Sequence, residues 1–600
     1  MIHTKANWLY CLFFLFALFA CNKDEVIEGN VDQKPVITLD SETGVYVTKI
    51  GKEITISPTV EYADNAIFSW IIDGKLVGSE LSFTTAFTKE GEVYVTFRVE
   101  TLVGASEEEI RIDVSLLAPP VISVALPGKG LKVLPGIDYV FTPDIQNQDE
   151  NDFQCQWIRD GKVVATGVSY TFNETKLGSY PITIQASNVD GQTTKELTVE
   201  VVETMPYEVR FEKLSYFQNS TDRSTFAGRP VFLSPSLEYF DNPQYSWSVN
   251  GSVISGETNS TLKFTPERAG DYTIKVAVTE KLKSLATLSR NITRASTTLA
   301  AEIVLHCFEG RQEDNQRMAS ASSSSYQNEV YEFTPAPGQF VGELNTAGFT
   351  GNEKTQEAAI AYATKRLEAK NYVSLGGFGG YVIVGFDHSI PKTGNEYDFA
   401  IQGNAFDGSS EPGVVWVMQD VNKNGLPDDE WYELKGSETS KEGTIQNYAV
   451  TYYRPAGKGM DVQWTDSEGK SGKIDYLKEY HAQDYYYPAW VPEASYTLRG
   501  TLLASKNTVD PSTGFWKNQS YEWGYADNYG NDQVKGGNTT DGTGQRNGFK
   551  ISNAINIDGS AIDLKYIDFV KVQVGVNAKS GPLGEVSTEV FSFMDLSINN

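Results

Sequence analysis

The chain has 600 residues, a formal net charge of −28 and an aromatic share of 12%. So acidic a surface repels phosphate polyanions and anionic lipid headgroups, which argues against nucleic acid as a partner. The length exceeds what one ordinary core holds and predicts several domains.

Residues 1–20 read as a targeting segment. Lys5 supplies a short positive region, and Trp8 to Phe19 is an apolar run too short to span a bilayer. Leu18-Phe19-Ala20-Cys21 then resembles the lipobox of bacterial lipoproteins. That resemblance implies lipidation of Cys21, a tether over 21–34 and attachment to a membrane through the N-terminus; an ordinary secretory signal or signal anchor is the alternative. Asn22-Lys23-Asp24-Glu25 is similar to the charged export tag of surface-exposed lipoproteins in the Bacteroidetes, which implies an outer-membrane, outward-facing protein. The other two mature cysteines, Cys155 and Cys307, fall in separate domains, so no disulfide framework is expected and each thiol reads as a small buried apolar group.

Three tryptophans roughly 90 residues apart mark a repeat: Trp70 before Asp73-Gly74, Trp157 before Asp160-Gly161, and Trp247 before Asn250-Gly251. A second shared element follows each, around Gly91 and Tyr94, Gly178 and Tyr180, and Gly270 and Tyr272. Alternating apolar residues flank both elements, and the Asp-Gly or Asn-Gly pairs supply the positive backbone angles of a two-residue hairpin. The pattern predicts three immunoglobulin-like sandwiches over 35–118, 119–204 and 205–295, with each tryptophan a core plug rather than a sugar platform. The modules resemble the PKD-like family, although its tryptophan-aspartate-phenylalanine-glycine signature is not intact. They read as a spacer, with Pro119-Pro120 and Pro206 stiffening the joints.

Beyond residue 295 the period stops. A Ser-rich stretch at 319–325 reads as a loop, and 353–370 places Ala358, Ala359, Tyr362, Ala363 and Leu367 on one helical face. Short runs rich in β-branched and aromatic residues follow, from Tyr381-Val-Ile-Val to Asp568-Phe-Val-Lys-Val-Gln-Val. They predict that 300–600 is a large β-sandwich of jelly-roll type with one or two helices, making the chain mainly β.

The segment Asp420-Val-Asn-Lys-Asn-Gly-Leu-Pro-Asp-Asp-Glu-Trp431 puts side-chain oxygens at positions 1, 3 and 5 and a glycine at position 6. Calcium takes six to eight hard oxygens, and Asp420, Asn422, Asn424, the Leu426 carbonyl, Asp428 and Glu430 are the expected ligands. Trp431 stands where an EF-hand needs a bidentate glutamate, so the expectation is a calcium-pinned turn, with a metal-free Asx turn as the alternative.

Glu411, Glu430, Glu433 and Asp527 lie near aromatics, but nothing in their spacing singles out an acid and a nucleophile. No nucleophile elbow, phosphate loop or HExxH motif occurs, and no enzyme is expected. Binding has better candidates in two aromatic stretches read as loops: His481, Tyr485, Tyr486, Tyr487 and Trp490 in one, Trp516 and Trp523 in the other. Packing at the end of the sandwich is the alternative for these rings. His388 and His481 also offer imidazoles to a metal, with a hydrogen-bonding surface histidine as the alternative.

Ser374-Leu-Gly-Gly-Phe-Gly-Gly-Tyr-Val-Ile-Val-Gly-Phe-Asp-His388, Gly403-Asn-Ala-Phe406, Glu411-Pro-Gly413, Trp523-Gly-Tyr-Ala-Asp527 and Ile567-Asp-Phe-Val-Lys571 resemble the C-terminal domain of Bacteroidetes cell surface proteins with PKD-like stalks. Such proteins are similar to surface lipoproteins that accompany vitamin B12 TonB-dependent transporters. The resemblance implies capture of a corrinoid for such a transporter. The alternative is a glycan-binding lipoprotein of a polysaccharide-uptake system, with a glycoside hydrolase further behind.

Overall fold

The computed structural model describes residues 33–598 apart from 42, 125, 127–128, 149–151, 281–296, 511–512 and 535–545. The leader, Cys21 and most of the tether therefore lie outside the described residues. Two compact units divide at Pro119, and each is described by itself.

The first unit is one sandwich module. Its larger sheet runs in the order Val45–Lys49, Gly104–Ser115, Gly91–Thr101, Ile67–Ile72, Lys75–Gly78, with the first pairing parallel and the rest antiparallel. Two small sheets, Val36–Thr38 with Thr59–Glu61 and Ile54–Ile56 with Phe83–Thr85, complete it. Trp70 is fully buried, its ring 4.2 Å from Phe97 and 5.1 Å from Phe83, and its indole N–H donates to the Glu80 carbonyl at 2.8 Å. Asp73 and Gly74, at φ of 49° and 72°, make the turn that reverses the hairpin beside it.

The second unit begins with two further copies of that plan. Leu131–Val133, Gly191–Val201, Gly178–Asn188, Gln154–Arg159 and Lys162–Thr166 form one five-stranded sheet. Arg223–Phe226, Thr298–Phe308, Gly270–Glu280, Pro243–Val249 and Ser252–Val253 form the other. Trp157 and Trp247 are likewise fully buried, with indole N–H groups donating to Gly167 O at 3.1 Å and Asn259 O at 2.8 Å. One correction concerns the boundary near residue 300. Thr298–Phe308 pairs with Gly270–Glu280 over ten residues, so the third module runs on to residue 308. Cys155 and Cys307 are buried in the second and third modules, and burial pushes both thiols up.

The rest of the second unit is a β-rich domain. A six-stranded antiparallel sheet has the order Glu329–Thr334, Tyr381–Pro391, Tyr566–Val574, Gly413–Met418, Tyr432–Leu434, Ala554–Ile555. Tyr566–Val574 is buried along its whole length, as befits a central strand covered on both faces. Two four-stranded sheets accompany it, one built on Phe399–Gln402 and the other on Ile445–Tyr453. The α-helix Gln356–Glu368 is capped by Thr355, whose hydroxyl accepts from Ala358 N, and buries Ala359, Tyr362, Ala363 and Leu367 as its periodicity predicts.

The third module is fused to this domain. Leu214, Tyr216 and Phe217 pack against its core, Tyr216 N donates to Tyr381 Oη at 2.7 Å, and Phe217 N donates to Glu332 Oε1 at 3.3 Å. The third module therefore packs on this domain, which departs from its reading as a spacer.

Candidate functional site

Three of the four aromatic rings in the run at 485–490 face inward. Tyr486, Tyr487 and Trp490 are 0%, 2% and 4% exposed. Trp490 stacks on Phe333 at 5.8 Å and donates its indole N–H to the Phe333 carbonyl at 3.2 Å. Tyr487 lies under the Arg454 guanidinium at 4.4 Å, and the Tyr486 hydroxyl donates to His481 O at 2.9 Å. These three rings pack the core, which corrects their assignment as ligand platforms. Tyr485 alone of the run is exposed, and His481 is half-buried against Phe340 at 4.7 Å, burial lowering its pKa. His388 is fully buried between Asp387 Oδ1 at 2.6 Å and Asp595 Oδ2 at 2.8 Å, so no ligand reaches it.

In the second stretch, Trp516 is half-buried beside Gly581, where an added Cβ would fall 2.1 Å from its Nε1. Trp523 does line an open cleft of about 260 Å³, together with Tyr397, Lys435, Asp532, Lys550 and Asn553. Local chemistry builds this cleft. Gly548 lies under Tyr397, where a Cβ would stand 2.4 Å from the ring. Gly524, at φ 91°, lets the chain pass the Gly436 backbone at the shoulder of Trp523. Asp532 holds both sides together: one oxygen accepts from Gly524 N at 2.7 Å and the other from Asn547 Nδ2 at 2.9 Å, while burial raises its carboxyl. A cleft lined by two aromatic residues and two lysines, with the Lys550 ammonium 5.9 Å over the Tyr397 ring, has the residue types to stack a flat ring and pair an anion. Tyr397, Lys435, Asp532 and Lys550 escaped the sequence reading because only the fold gathers them. Tyr397 opens the run Tyr397-Asp-Phe-Ala-Ile, in which the eye follows the strand.

The acidic loop is closed by its own hydrogen bonds. Asp420 accepts from Asn424 N at 3.1 Å and Gly425 N at 2.9 Å, with Gly425 at φ 75°. Asn422 and Asn424 turn their amide nitrogens to Asp428 at 3.1 and 2.8 Å, and Leu426 N donates to Asn424 Oδ1 at 2.8 Å. Glu430 departs from its expected place. Its carboxylate faces Arg223 of the third module at 3.6 Å and takes no part in closing the loop. Asp429, buried and pushed up to about 7 by burial, accepts from Val421 N at 2.6 Å instead.

The PKD-like domain family matches residues 34–101 and 119–188. The first two modules are PKD-like. The third shares their sheet order, buried tryptophan and hairpin turn. Among solved structures, the chain is similar to an I-band fragment of titin, at 14% identity and TM-score 0.20, covering 46% of this chain and 99% of that one. It is also similar to three N-terminal domains of the bacteriophage RB49 highly immunogenic outer capsid protein, at 12% identity and TM-score 0.22, covering 46% and 100%. Fibronectin(III)-like modules of Clostridium thermocellum CbhA match at 17% identity and TM-score 0.18, covering 28% and 94%. No curated protein matches. Among the described residues no helix is long and apolar enough to cross a membrane.

Proposed function

We propose that the chain is a surface-displayed outer-membrane lipoprotein, tethered through Cys21, that captures a corrinoid for a TonB-dependent transporter. The PKD-like modules space the ligand-binding domain from the anchor. The observation that supports this reading best is the Tyr397–Trp523 cleft with its two lysines. A cobalamin carries an aromatic base joined through a ribose to a phosphodiester. In this reading the base stacks on the aromatic lining, the phosphodiester pairs with Lys435 and Lys550, and the corrin lies on the surface outside a cleft too small to enclose it.

The same volume favours a second reading, because about 260 Å³ accommodates one sugar ring against the same aromatic faces. A glycan would then replace the corrinoid. Hydrolysis gains no support from this cleft. Asp532 is the acid in its lining, and both its oxygens are already bonded, whereas a glycosidase needs two carboxyls facing the bond to be cut.

Calcium belongs to this reading as a structural ion in the 420–428 loop, held by Asp420, Asn422, Asn424, Asp428 and the Leu426 carbonyl, without Glu430. A glycan array and a cobalamin titration on the full chain and its Trp523→Ala variant separate the two ligands. The variant loses about tenfold in affinity for whichever is bound, since a stacked ring contributes roughly 1–3 kcal/mol. Equal binding by variant and parent would move the site away from this cleft.

A further inference from the structure

Glu411, Asp527 and Glu589 come from three separate stretches, yet one carboxylate oxygen from each lies within 4.8 Å of the others. Backbone wiring brings them together. Glu411 N donates to the Asp527 carbonyl at 2.9 Å, and Glu589 N donates to Asp527 Oδ2 at 2.9 Å. Asn404 N and Ala405 N donate to Asp527 Oδ1 at 2.8 and 2.9 Å. Asp527 sits at φ 53° and fills the space above Gly403, where a Cβ would fall 2.3 Å from its Oδ1.

None of these contacts brings a cation to the cluster. Asp527 and Glu589 are buried and Glu411 is half-buried. Three carboxylates at this separation need protons or a cation between them.

A further observation points to a cation. Glu589 is 4% exposed, and its buried Oε1 has no hydrogen-bond donor. The Asn404 amide lies beside the same group and, with its nitrogen toward Asp527, donates to Oδ1 at 3.0 Å and Oδ2 at 3.3 Å.

We propose that Glu411, Asp527 and Glu589 form a calcium site. All donors are hard oxygens, and their separation suits a shell at about 2.3–2.6 Å from the ion. Chelation by the three carboxylates supplies six oxygens, where calcium's range begins, whereas magnesium asks for near-ideal octahedral geometry and retains its waters. The ion joins three stretches that are distant in sequence. It also fixes Asp527, at the end of the turn that carries Trp523. The site is separate from the 420–428 loop and stands whether or not that loop takes calcium.

The test is a calorimetric calcium titration of the full chain after chelator treatment, with the melting midpoint followed in parallel. Calcium is expected to bind and to raise the midpoint by several degrees. Glu589→Gln should weaken uptake about tenfold or more, and so should Glu411→Gln, on a half-buried side chain and with the fold retained. Asp420→Asn should leave uptake by this site unchanged. If Glu589→Gln fails to fold, Glu411→Gln carries the test. A stripped chain that takes up no calcium overturns the site, as does uptake indifferent to Glu411→Gln and abolished by Asp420→Asn. Tighter binding of magnesium with the same residue dependence overturns the choice of ion.

Discussion

The Arg223 guanidinium of the third module stands 3.6 Å from Glu430 Oε2 of the C-terminal domain. Burial lowers the arginine's pKa and raises the glutamate's, and Lys571 is the other cation acting on Glu430. Removing one partner strands the other charge in a poorly solvated place. Arg223→Ala should therefore cost about 3 kcal/mol, read as an earlier urea midpoint for the C-terminal domain as well as for the third module. A loss confined to the third module would mean that the two fold independently.

The three module tryptophans invite a parallel test. Trp157→Ala removes a fully buried side chain and should cost about 3–5 kcal/mol, with the second module melting first. Trp490→Ala should cost a similar amount in the C-terminal domain, because its ring is core. Tyr485→Ala, at an exposed position, should stay within about 0.5 kcal/mol of the parent in the same denaturation curves.

A pH signature comes from Lys571 and Glu433. Lys571 is buried beneath Trp431 at 4.7 Å and Trp416 at 5.0 Å. Burial pushes it down to about 8, against the opposing pull of Glu332, Glu430 and Glu433. Glu433 is pushed up to about 7 by burial, partly offset by the Thr501 hydroxyl and Lys571. Between pH 4.5 and about 7 the folded state holds a proton on Glu433 that the unfolded chain has lost, so stability falls as pH rises. Between about 8 and 10.5 the unfolded chain holds the proton on Lys571 that the folded state has lost, so stability rises again. The minimum is expected near pH 7–8. Glu433→Gln should flatten the acid limb, worth about 3 kcal/mol, in denaturation curves taken across that range.

The modules were legible because their signal is local: a tryptophan, a two-residue turn and alternating strands all fall within one hairpin. The end of the third module was not, since Thr298–Phe308 alternates as any edge of a new domain would, and only its pairing with Gly270–Glu280 reveals its sheet. The helix at 356–368 was readable from its 3.6-residue period. Contiguous aromatics carry no such direction, so Tyr486, Tyr487 and Trp490 looked like loop platforms although the fold turns them inward. Glu411 and Asp527 were visible as acids, but their meeting with Glu589 depends on strand pairing across the whole domain. Tyr397 and Trp523 come together for the same reason.

The central claim, that this domain holds a corrinoid by its nucleotide loop between Tyr397 and Trp523, is tested most directly by calorimetry of the full chain with cyanocobalamin and with cobinamide, which lacks that loop. Micromolar or tighter binding of cyanocobalamin, at least about tenfold weaker for cobinamide and for Trp523→Ala, is the predicted result. No heat with cyanocobalamin at micromolar concentration would contradict the account.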